Sequence, residues 1–120
     1  MLNKVVPMIH VPDVRAAVAW YERIGFEVTA THSDENEMSW ALITCGTTEV
    51  MFNEGGHPST AHRREVDLYV YVNDATALYE RLKEEVEVVH PLYDAFYGNR
   101  EFIIRDLNRF WVTFGEPLAQ

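Results

Sequence analysis

The sequence predicts an α+β protein in which two βαβββ modules form a curved mixed sheet around a cavity. Two observations carry this prediction. Short motifs recur in the same order about half a chain length apart: Val-Pro-Asp at 11–13 is echoed by Val-Asn-Asp at 72–74, and Tyr-Glu-Arg at 21–23 returns at 79–81. The spacing of apolar residues also changes from strand-like to helix-like at matching places in the two halves. One repeated supersecondary unit accounts for both features.

The first module is expected to start with a strand from Val5 to Val11, because apolar residues dominate this stretch. Asp13 can accept the free amide hydrogens of a following helix, whose apolar residues recur at spacings of three and four up to Gly25. Three further strand-like segments follow, at 26–31, 39–44 and 49–53.

The second module repeats this order, with a strand at 66–72 and a helix at about 74–84. Its later strands are expected at 86–90, 101–105 and 110–114. Residues 90–98 are irregular and rich in aromatic side chains, so we expect a loop that folds over the mouth of the cavity.

The length of 120 residues suits a single domain with one core. Glycine and proline cluster between the two modules, which indicates a linker there. We therefore predict one domain over 1–120, with module one at about 1–54, a linker at about 55–64 and module two at about 65–120.

The charge balance argues against nucleic acid as a partner. The chain carries 19 acidic and 10 basic side chains and a net charge of −9, which repels a phosphate backbone. No apolar run reaches the roughly 20 residues that span a bilayer, and the first residues lack the pattern of a secretory signal, so no membrane partner is expected. Cys45 is the single cysteine, so no internal disulfide can form. We expect a cytoplasmic protein.

Several motifs resemble those of a known superfamily. Val-Pro-Asp at 11–13, Trp-Tyr at 20–21 and Ile-Gly-Phe-Glu-Val at 24–28 are similar to the opening of vicinal oxygen chelate proteins, which include glyoxalase I, extradiol dioxygenases and bleomycin-resistance proteins. The stretch Tyr-Gly-Asn-Arg-Glu-Phe-Ile-Ile-Arg-Asp at 97–106 resembles the bleomycin-resistance branch. The resemblance implies the glyoxalase/bleomycin resistance/dihydroxybiphenyl dioxygenase fold and a homodimer that binds a small molecule.

The last hairpin departs from the family pattern. Family members commonly carry an Asp-Pro-(Asp/Glu)-Gly-Asn turn, whereas this chain has Asp-Leu-Asn-Arg at 106–109. In the absence of glycine, we expect Asn108 to adopt the positive φ that the turn needs.

The resemblance also implies a divalent metal, held in the enzymes of the superfamily by His and Glu from the first and last strands of each module. In this sequence the four positions fall near Val6, Phe52, Asp67 and Thr113. Valine and phenylalanine cannot bind a metal, and Asp67 alone cannot hold an ion with useful affinity. No cofactor is therefore predicted. A relocated metal site that involves His10, Glu54 or Asp67 stays open.

Strand alternation indicates which residues line the cavity. The face that carries Met8 and His10 is expected to carry aromatic and acidic side chains from the other strands. Aromatic rings stack on planar ligands and attract cations, at about 0.5–2 kcal/mol per contact, although aromatic residues on strands are more often simply core. Arg100 and Glu101 are expected to hold strand ends and subunit contacts. The predicted ligand-binding residues are His10, Trp40, Phe52, Glu54, Asp67, Tyr69, Tyr71, Tyr97, Trp111 and Thr113.

These patterns favour a non-metal binding protein over an enzyme, and no catalytic residue is predicted. The expected function resembles that of bleomycin-resistance proteins, which is to sequester a planar or cationic ligand in an aromatic and acidic cavity of a homodimer. One alternative is a metal-dependent lyase or dioxygenase of the vicinal oxygen chelate superfamily. Another is a metal-free isomerase or a small regulatory module.

Overall fold

The computed structural model describes residues 1–119. The chain divides into two compact units, with the boundary between Ser59 and Thr60. This boundary lies inside the predicted linker at 55–64. Each unit contains one strand, one helix and three further strands in that order.

The first unit packs one helix on a four-stranded sheet. Its elements are β1 (Met8–His10), α1 (Val14–Ile24), β2 (Glu27–Asp34), β3 (Glu37–Cys45) and β4 (Thr48–Asn53). The strand order is β1-β4-β3-β2, and β1 is parallel to β4 while the other neighbours are antiparallel. Tyr21 on the buried side of α1 lies against Phe52 of β4, with ring centroids 5.1 Å apart. This contact lies in the core of the unit, because both side chains are almost fully buried.

The second unit has the same architecture. Its elements are β5 (Leu68–Tyr71), α2 (Ala75–Leu82), β6 (Glu87–Asp94), β7 (Asn99–Arg105) and β8 (Trp111–Pro117). The strand order is β5-β8-β7-β6, with β5 parallel to β8. The ring of Tyr79 on α2 lies 5.2 Å from that of Phe102 on β7, and Phe102 stacks on Phe114 of β8 at 5.0 Å. These aromatic side chains fix which face of the sheet α2 covers.

Both helices begin at an aspartate cap. The carboxylate of Asp13 accepts a hydrogen bond from the amide of Ala16 at 3.0 Å, and Asp74 accepts one from Ala77 at the same distance. Each bond satisfies an amide that has no partner within the first helical turn. Gly25 ends α1 with a φ of 121°, a value that side chains other than glycine rarely permit. The predicted cap at Asp13 is confirmed, and Asp74 caps α2 in the same way.

The repeat read from the sequence is confirmed at the level of single hydrogen bonds. Val11 donates its amide to the carbonyl of Asn53 at 2.9 Å, and Val72 donates to Gly115 in the same way at 2.9 Å. Both bonds join the end of the first strand of a unit to the last strand. The α+β fold class with two βαβββ modules is therefore confirmed, and the strands pair as two separate four-stranded sheets.

Strand β6 is longer than the sequence indicated. It runs to Asp94, so the loop expected at 90–98 is wrong for its first half, and Tyr93 pairs with Glu101 across the ladder. Two register shifts interrupt this ladder between Val88 and Tyr93. Each shift breaks the alternation of side chains, and the sequence therefore reads as irregular although the strand continues.

The hairpin between β7 and β8 places its positive φ one residue later than expected. Arg109 has a φ of 74°, and Asn108 does not adopt the left-handed conformation. The carboxylate of Asp106 accepts the amides of Asn108 at 2.7 Å and Phe110 at 2.9 Å. Because the aspartate holds both amides, the chain reverses direction at Arg109.

Among residues 1–119, no helix is both long and apolar enough to cross a membrane.

Candidate functional site

The face of the second sheet opposite α2 carries most of the ligand-binding residues predicted for this unit. Phe102 and Phe114 are buried on the α2 side, so alternation directs their strand neighbours to the other side. Tyr71 on this other side is 69% exposed, so a ligand can reach it. We name this side the tyrosine face, and its residues are Tyr69, Tyr71, Glu101, Ile103, Trp111, Thr113 and Gly115.

A buried carboxylate lies at one end of the tyrosine face. Glu101 is 1% exposed and accepts hydrogen bonds from the hydroxyl groups of Tyr69, Tyr97 and Tyr93, the last at 2.5 Å. The side-chain amide of Asn99 donates to the hydroxyl of Tyr69 at 2.8 Å. Three neutral donors thus converge on one acid, and we call this group the Glu101 cluster.

The Glu101 cluster holds a negative charge at neutral pH. Burial by itself raises the pKa of Glu101, but the three tyrosine hydroxyls outweigh it and hold the pKa below the ordinary value. The hydrogen bond to Glu101, followed by burial, raises the pKa of Tyr93 and of Tyr97 to about 12. Burial, followed by the same acceptor, raises the pKa of Tyr69. The carboxylate is therefore ionised and the three phenols stay protonated.

Gly115 makes room for this arrangement. A Cβ atom at this position would lie 2.1 Å from the hydroxyl oxygen of Tyr69, far closer than two unbonded atoms approach. The absence of a side chain on β8 lets Tyr69 cross the strand and reach Glu101 on β7. The sequence therefore needs glycine here for close approach.

The other end of the tyrosine face carries a tryptophan and an aspartate. The indole nitrogen of Trp111 donates to the carbonyl of His62 at 2.9 Å, which fixes the ring. The guanidinium of Arg63 lies over this ring, 4.2 Å from its centroid, and forms an ion pair with Asp67. Thr113 is buried between the two ends, beside Tyr69. Four of the predicted residues, including Tyr71, therefore share one face, and Asp67 reaches its edge through Arg63.

The first unit brings two predicted residues into one row. His10 pairs with Asn53, and Asn53 pairs with Trp40, so the three lie side by side on one face. The Nδ1 atom of His10 is 3.0 Å from the carbonyl oxygen of Glu54, whose side chain takes no part in this contact. The backbone amide of Glu54 donates to Ser39 at 2.9 Å. His10 and Trp40 are neighbours, whereas Glu54 joins them only through its main chain.

Phe52 does not share a face with His10, contrary to the prediction. The pairing of β1 with β4 places His10 beside Asn53 and Ile9 beside Phe52. Phe52 is 1% exposed and points to α1, where Tyr21 packs on it. The expected register was one residue off, and a slip of one residue moves a side chain to the opposite face.

The family positions for a metal do not offer a ligand set. Phe52 belongs to the core, and the carboxylate of Asp67 is paired with Arg63. Among the residues that the structure describes, no three His, Cys, Asp or Glu side chains are arranged to hold an ion, and His10 and Glu54 belong to no such group. The side chains present therefore do not fit the metal centre of the superfamily's enzymes.

Sequence reasoning missed the centre of the cluster. Glu101 was expected to hold strand ends and subunit contacts together with Arg100, but Arg100 pairs with Asp94 at 2.8 Å and Glu101 is buried. The available signal was a charged residue inside a strand next to Phe102, because a buried charge requires partners. The sequence did not reveal that Tyr93 is one of these partners, or that Asn99 and Gly115 support the position of Tyr69.

Comparisons with known proteins agree with this fold. The model of the Glyoxalase/Bleomycin resistance protein/Dioxygenase superfamily matches residues 2–114. The structure of TioX from Micromonospora sp. ML1 has 24% identity and a TM-score of 0.79, over 97% of this chain and 99% of that chain. The bleomycin-binding protein from bleomycin-producing Streptomyces verticillus, complexed with copper(II)-bleomycin, has 23% identity and a TM-score of 0.66 over 100% of both chains.

A third solved structure has a similar fold. The genomically encoded fosfomycin resistance protein FosX from Listeria monocytogenes has 15% identity and a TM-score of 0.75, over 99% of this chain and 96% of that chain. The comparison with curated proteins gave no match. At these identities the solved structures establish the fold alone.

Two βαβββ units, each with its first strand parallel to its last, define a class of small α+β proteins to which these structures belong. The family model covers nearly all of the chain. This protein belongs to the Glyoxalase/Bleomycin resistance protein/Dioxygenase superfamily, and the resemblance found in its motifs is confirmed.

Proposed function

We propose that this protein captures a planar, positively charged small molecule on the tyrosine face, without metal or turnover, as a cytoplasmic homodimer. One observation carries the proposal: a buried carboxylate is held ionised by three neutral hydroxyls next to exposed aromatic rings. A basic side chain in their place would cancel the charge. Neutral donors stabilise it and leave its field in place.

The electrostatics of the face favour a cation. The faces of tyrosine rings are negative, and a cation on such a ring gains about 0.5–2 kcal/mol. Tyr69 and Tyr71 lie with ring centroids 5.0 Å apart beside the charge of Glu101. The net charge of −9 adds a long-range attraction for cations and repels anions.

The dimensions of the face suit an elongated planar ligand. Trp111 and Gly115 are four residues apart on β8, which corresponds to about 13 Å along a strand. One aromatic group lies at each end of this span, Trp111 at one and Tyr71 at the other. A ligand with fused or linked rings can contact both.

The structural neighbours support capture as the activity. One is described as a bleomycin-binding protein complexed with bleomycin, with 14% identity and a TM-score of 0.69, and the Streptomyces verticillus protein is complexed with copper(II)-bleomycin. In those proteins a small molecule is bound by the same fold. The ligand chemistry proposed for this chain comes from its own tyrosine face.

A fluorescence titration of untagged protein tests the proposal. The probe is proflavine, a flat cation, and its counterpart is acridone, a neutral molecule with a related ring system. We expect proflavine to bind and acridone to bind at least tenfold more weakly. Tyr71→Ala is expected to weaken proflavine binding about tenfold, because one cation–π contact is lost. Leu107→Ala, which removes another exposed apolar side chain, serves as the matched control.

Equal binding of the two dyes, or no binding of proflavine and of metal-free bleomycin, would contradict capture of a cation. Metal analysis of the same preparation addresses the enzymatic alternative. A divalent ion present in a one-to-one ratio, together with turnover, would favour a metal-dependent lyase or dioxygenase.

The homodimer is supported by an exposed apolar side chain. Phe96, in the turn between β6 and β7, is 100% exposed and lies against Tyr97 with ring centroids 5.1 Å apart. Contiguous exposed apolar patches commonly mark contact surfaces, and these two adjacent rings contribute to one. We expect sedimentation equilibrium to give a dimer that Phe96→Ser weakens. A monomer at every concentration would refute the dimer and leave the capture proposal standing.

A further inference from the structure

A basic side chain of this protein already lies at one end of the tyrosine face. The guanidinium carbon of Arg63 is 4.2 Å from the centroid of the Trp111 ring. Its Nε and Nη2 atoms donate to the two carboxylate oxygens of Asp67, at 3.3 Å and 2.5 Å. A planar cation therefore stacks on an indole and pairs with a carboxylate through two parallel hydrogen bonds, the geometry typical of guanidinium recognition.

The backbone segment that carries Arg63 is held in place by other residues and does not depend on the contacts of the Arg63 side chain. Arg105 donates to the carbonyl of His62 at 2.8 Å, Arg109 donates to Ala61 at 2.6 Å, and Trp111 donates to His62. These three bonds tie the segment before β5 to the hairpin between β7 and β8. The side chain of Arg63 can therefore leave without releasing the backbone that carries it.

The solvent exposure of the ion pair between Arg63 and Asp67 also indicates that Arg63 can be displaced. The side chain of Arg63 is 54% exposed and that of Asp67 is 30% exposed, so water reaches the ion pair. A water-accessible ion pair contributes little to stability, so a ligand can displace Arg63 at low cost. Arg64 differs, because it lies over Phe110 at 4.5 Å and donates to the carbonyl of Asn108, with no carboxylate in either contact.

We propose that Trp111 and Asp67 form a subsite for a planar cation of the guanidinium or amidinium class, and that Arg63 occupies this subsite until such a ligand displaces it. The inference rests on the proposed capture of a cation by the tyrosine face and names the group that the Trp111 end recognises. Arg63 acts as a tethered competitor, which lowers the apparent affinity for the ligand by the fraction of time that it fills the subsite.

An NMR titration with benzamidine tests this directly, because the indole N–H signal of Trp111 reports on the subsite and can be assigned with Trp111→Phe. Benzamide, which is neutral and has nearly the same shape, is the control ligand. We expect Arg63→Ala to bind benzamidine about fivefold more tightly than the unaltered protein, and benzamide binding to stay unchanged. Arg64→Ala, the matched control variant, is expected to change neither.

A second variant tests whether Asp67 is the residue that pairs with the amidinium group. Adding Asp67→Asn to Arg63→Ala is expected to remove the gain, because the carboxylate then no longer pairs with the amidinium. Arg63→Gln, which keeps the length of the side chain without its charge, is expected to behave as Arg63→Ala and replaces it if the alanine variant does not fold. Equal or weaker benzamidine binding by folded Arg63 variants would overturn the proposal.

The two proposals fail separately. If Tyr71→Ala weakens proflavine binding but no Arg63 variant tightens benzamidine binding, capture stands and the displaced arginine is refuted. If Arg63→Ala gains affinity for benzamidine while proflavine and bleomycin do not bind, the subsite stands and its link to capture on the tyrosine face is refuted.

Discussion

The tyrosine face of the second sheet and the matching face of the first sheet have the same backbone frame but different chemistry. In the first unit, one row across the four strands consists of His10, Asn53, Trp40 and His32. In the second unit, the matching row consists of Tyr71, Gly115, Glu101 and Tyr93. Each row starts three residues before the aspartate that caps the helix, which fixes the correspondence.

The differences between the two rows depend on one another. A carboxylate replaces Trp40, and a buried carboxylate requires hydrogen-bond donors. Tyr69 can be such a donor only because glycine replaces Asn53, since a Cβ on Gly115 would collide with its hydroxyl. The frame accepts either set of residues. The comparison teaches that the repeat provides the scaffold, while a coordinated group of side chains provides the charge.

The largest effect is expected at the centre of that group. Glu101→Gln removes the charge that three hydroxyls share and leaves at least one donor without a good acceptor, so we expect a loss of about 3 kcal/mol in the free energy of unfolding. Glu87→Gln, which removes an exposed carboxylate paired with Arg105, is expected to cost under about 1 kcal/mol. Urea denaturation measures both. Similar costs for the two variants would show that the cluster does not differ from a surface ion pair.

A smaller effect is expected at the glycine that distinguishes the two rows. Gly115→Ala forces Tyr69 away from Glu101, and overpacking of this kind costs about 2 kcal/mol. The counterpart in the first unit, Asn53→Ala, is expected to cost under about 1 kcal/mol, because it removes atoms and adds none. Urea denaturation again gives the values. If Gly115→Ala is as stable as the unaltered protein, the close approach of Tyr69 is not required.

The hairpins that precede the last strand of each unit offer a third comparison. Asp106→Ala removes a buried acceptor of two backbone amides, and we expect a loss of about 1–2 kcal/mol. Thr48→Ala in the first unit removes a hydroxyl that donates to the carbonyl of Cys45 at 2.8 Å on an exposed turn, so its cost is expected to stay within about 0.5 kcal/mol. Thermal denaturation distinguishes the two. A reversed order would mean that Asp106 does not shape its turn.

The smallest expected effect is a change in the stability of the fold at high pH, caused by the tyrosines of the Glu101 cluster. Of the six tyrosines, Tyr69, Tyr93 and Tyr97 have a raised pKa in the folded protein, about 12 for the last two against an ordinary value of 10.0. A raised pKa stabilises the fold fully below pH 10, and this contribution is lost as the pH rises towards 12. Tyrosinate absorbance is therefore expected to show that these three side chains ionise late.

At low pH the stability of the fold changes in the opposite direction, because the pKa of Glu101 is lowered in the folded protein. The stabilisation from Glu101 is present above pH 4.5, its ordinary pKa, and is lost as the pH falls below that value. In Glu101→Gln the late tyrosines are expected to ionise nearer to pH 10. Ionisation of Tyr69, Tyr93 and Tyr97 near pH 10 in the folded, unaltered protein would contradict the cluster.

The elements of the fold could be predicted because they depend on local chemistry. The cap at Asp13 and the apolar stripe of α1 arise from neighbours within a few residues, and the structure has them where the sequence indicated. The course of β6 could not be predicted, since its two register shifts depend on the partner strand. Phe52 was assigned to the wrong face for a related reason, because its direction follows from pairing between distant strands.

The candidate site was predictable only in part. Tyr69 and Tyr71 on β5, and Trp111 and Thr113 on β8, were predicted to line one face because alternation along each strand places them there. Glu101 was not, because its partners come from β5, from β6 and from the turn before β7, and nothing in the sequence brings them together. The contacts of Arg63 with Asp67 and Trp111 could not be predicted from the sequence either.

By itself, the sequence determined the repeat, the order of strands and helices, the cap at Asp13 and the negative net charge, and its motifs showed the resemblance to the superfamily. These properties are set by residue types and their local spacing, which a linear reading preserves. Only the tertiary structure decided which side chains share a face and which carboxylate keeps its charge. The physical reason is that burial and hydrogen bonding depend on neighbours from other strands, and a shift of one residue in pairing moves a side chain from the core side of a strand to the opposite side.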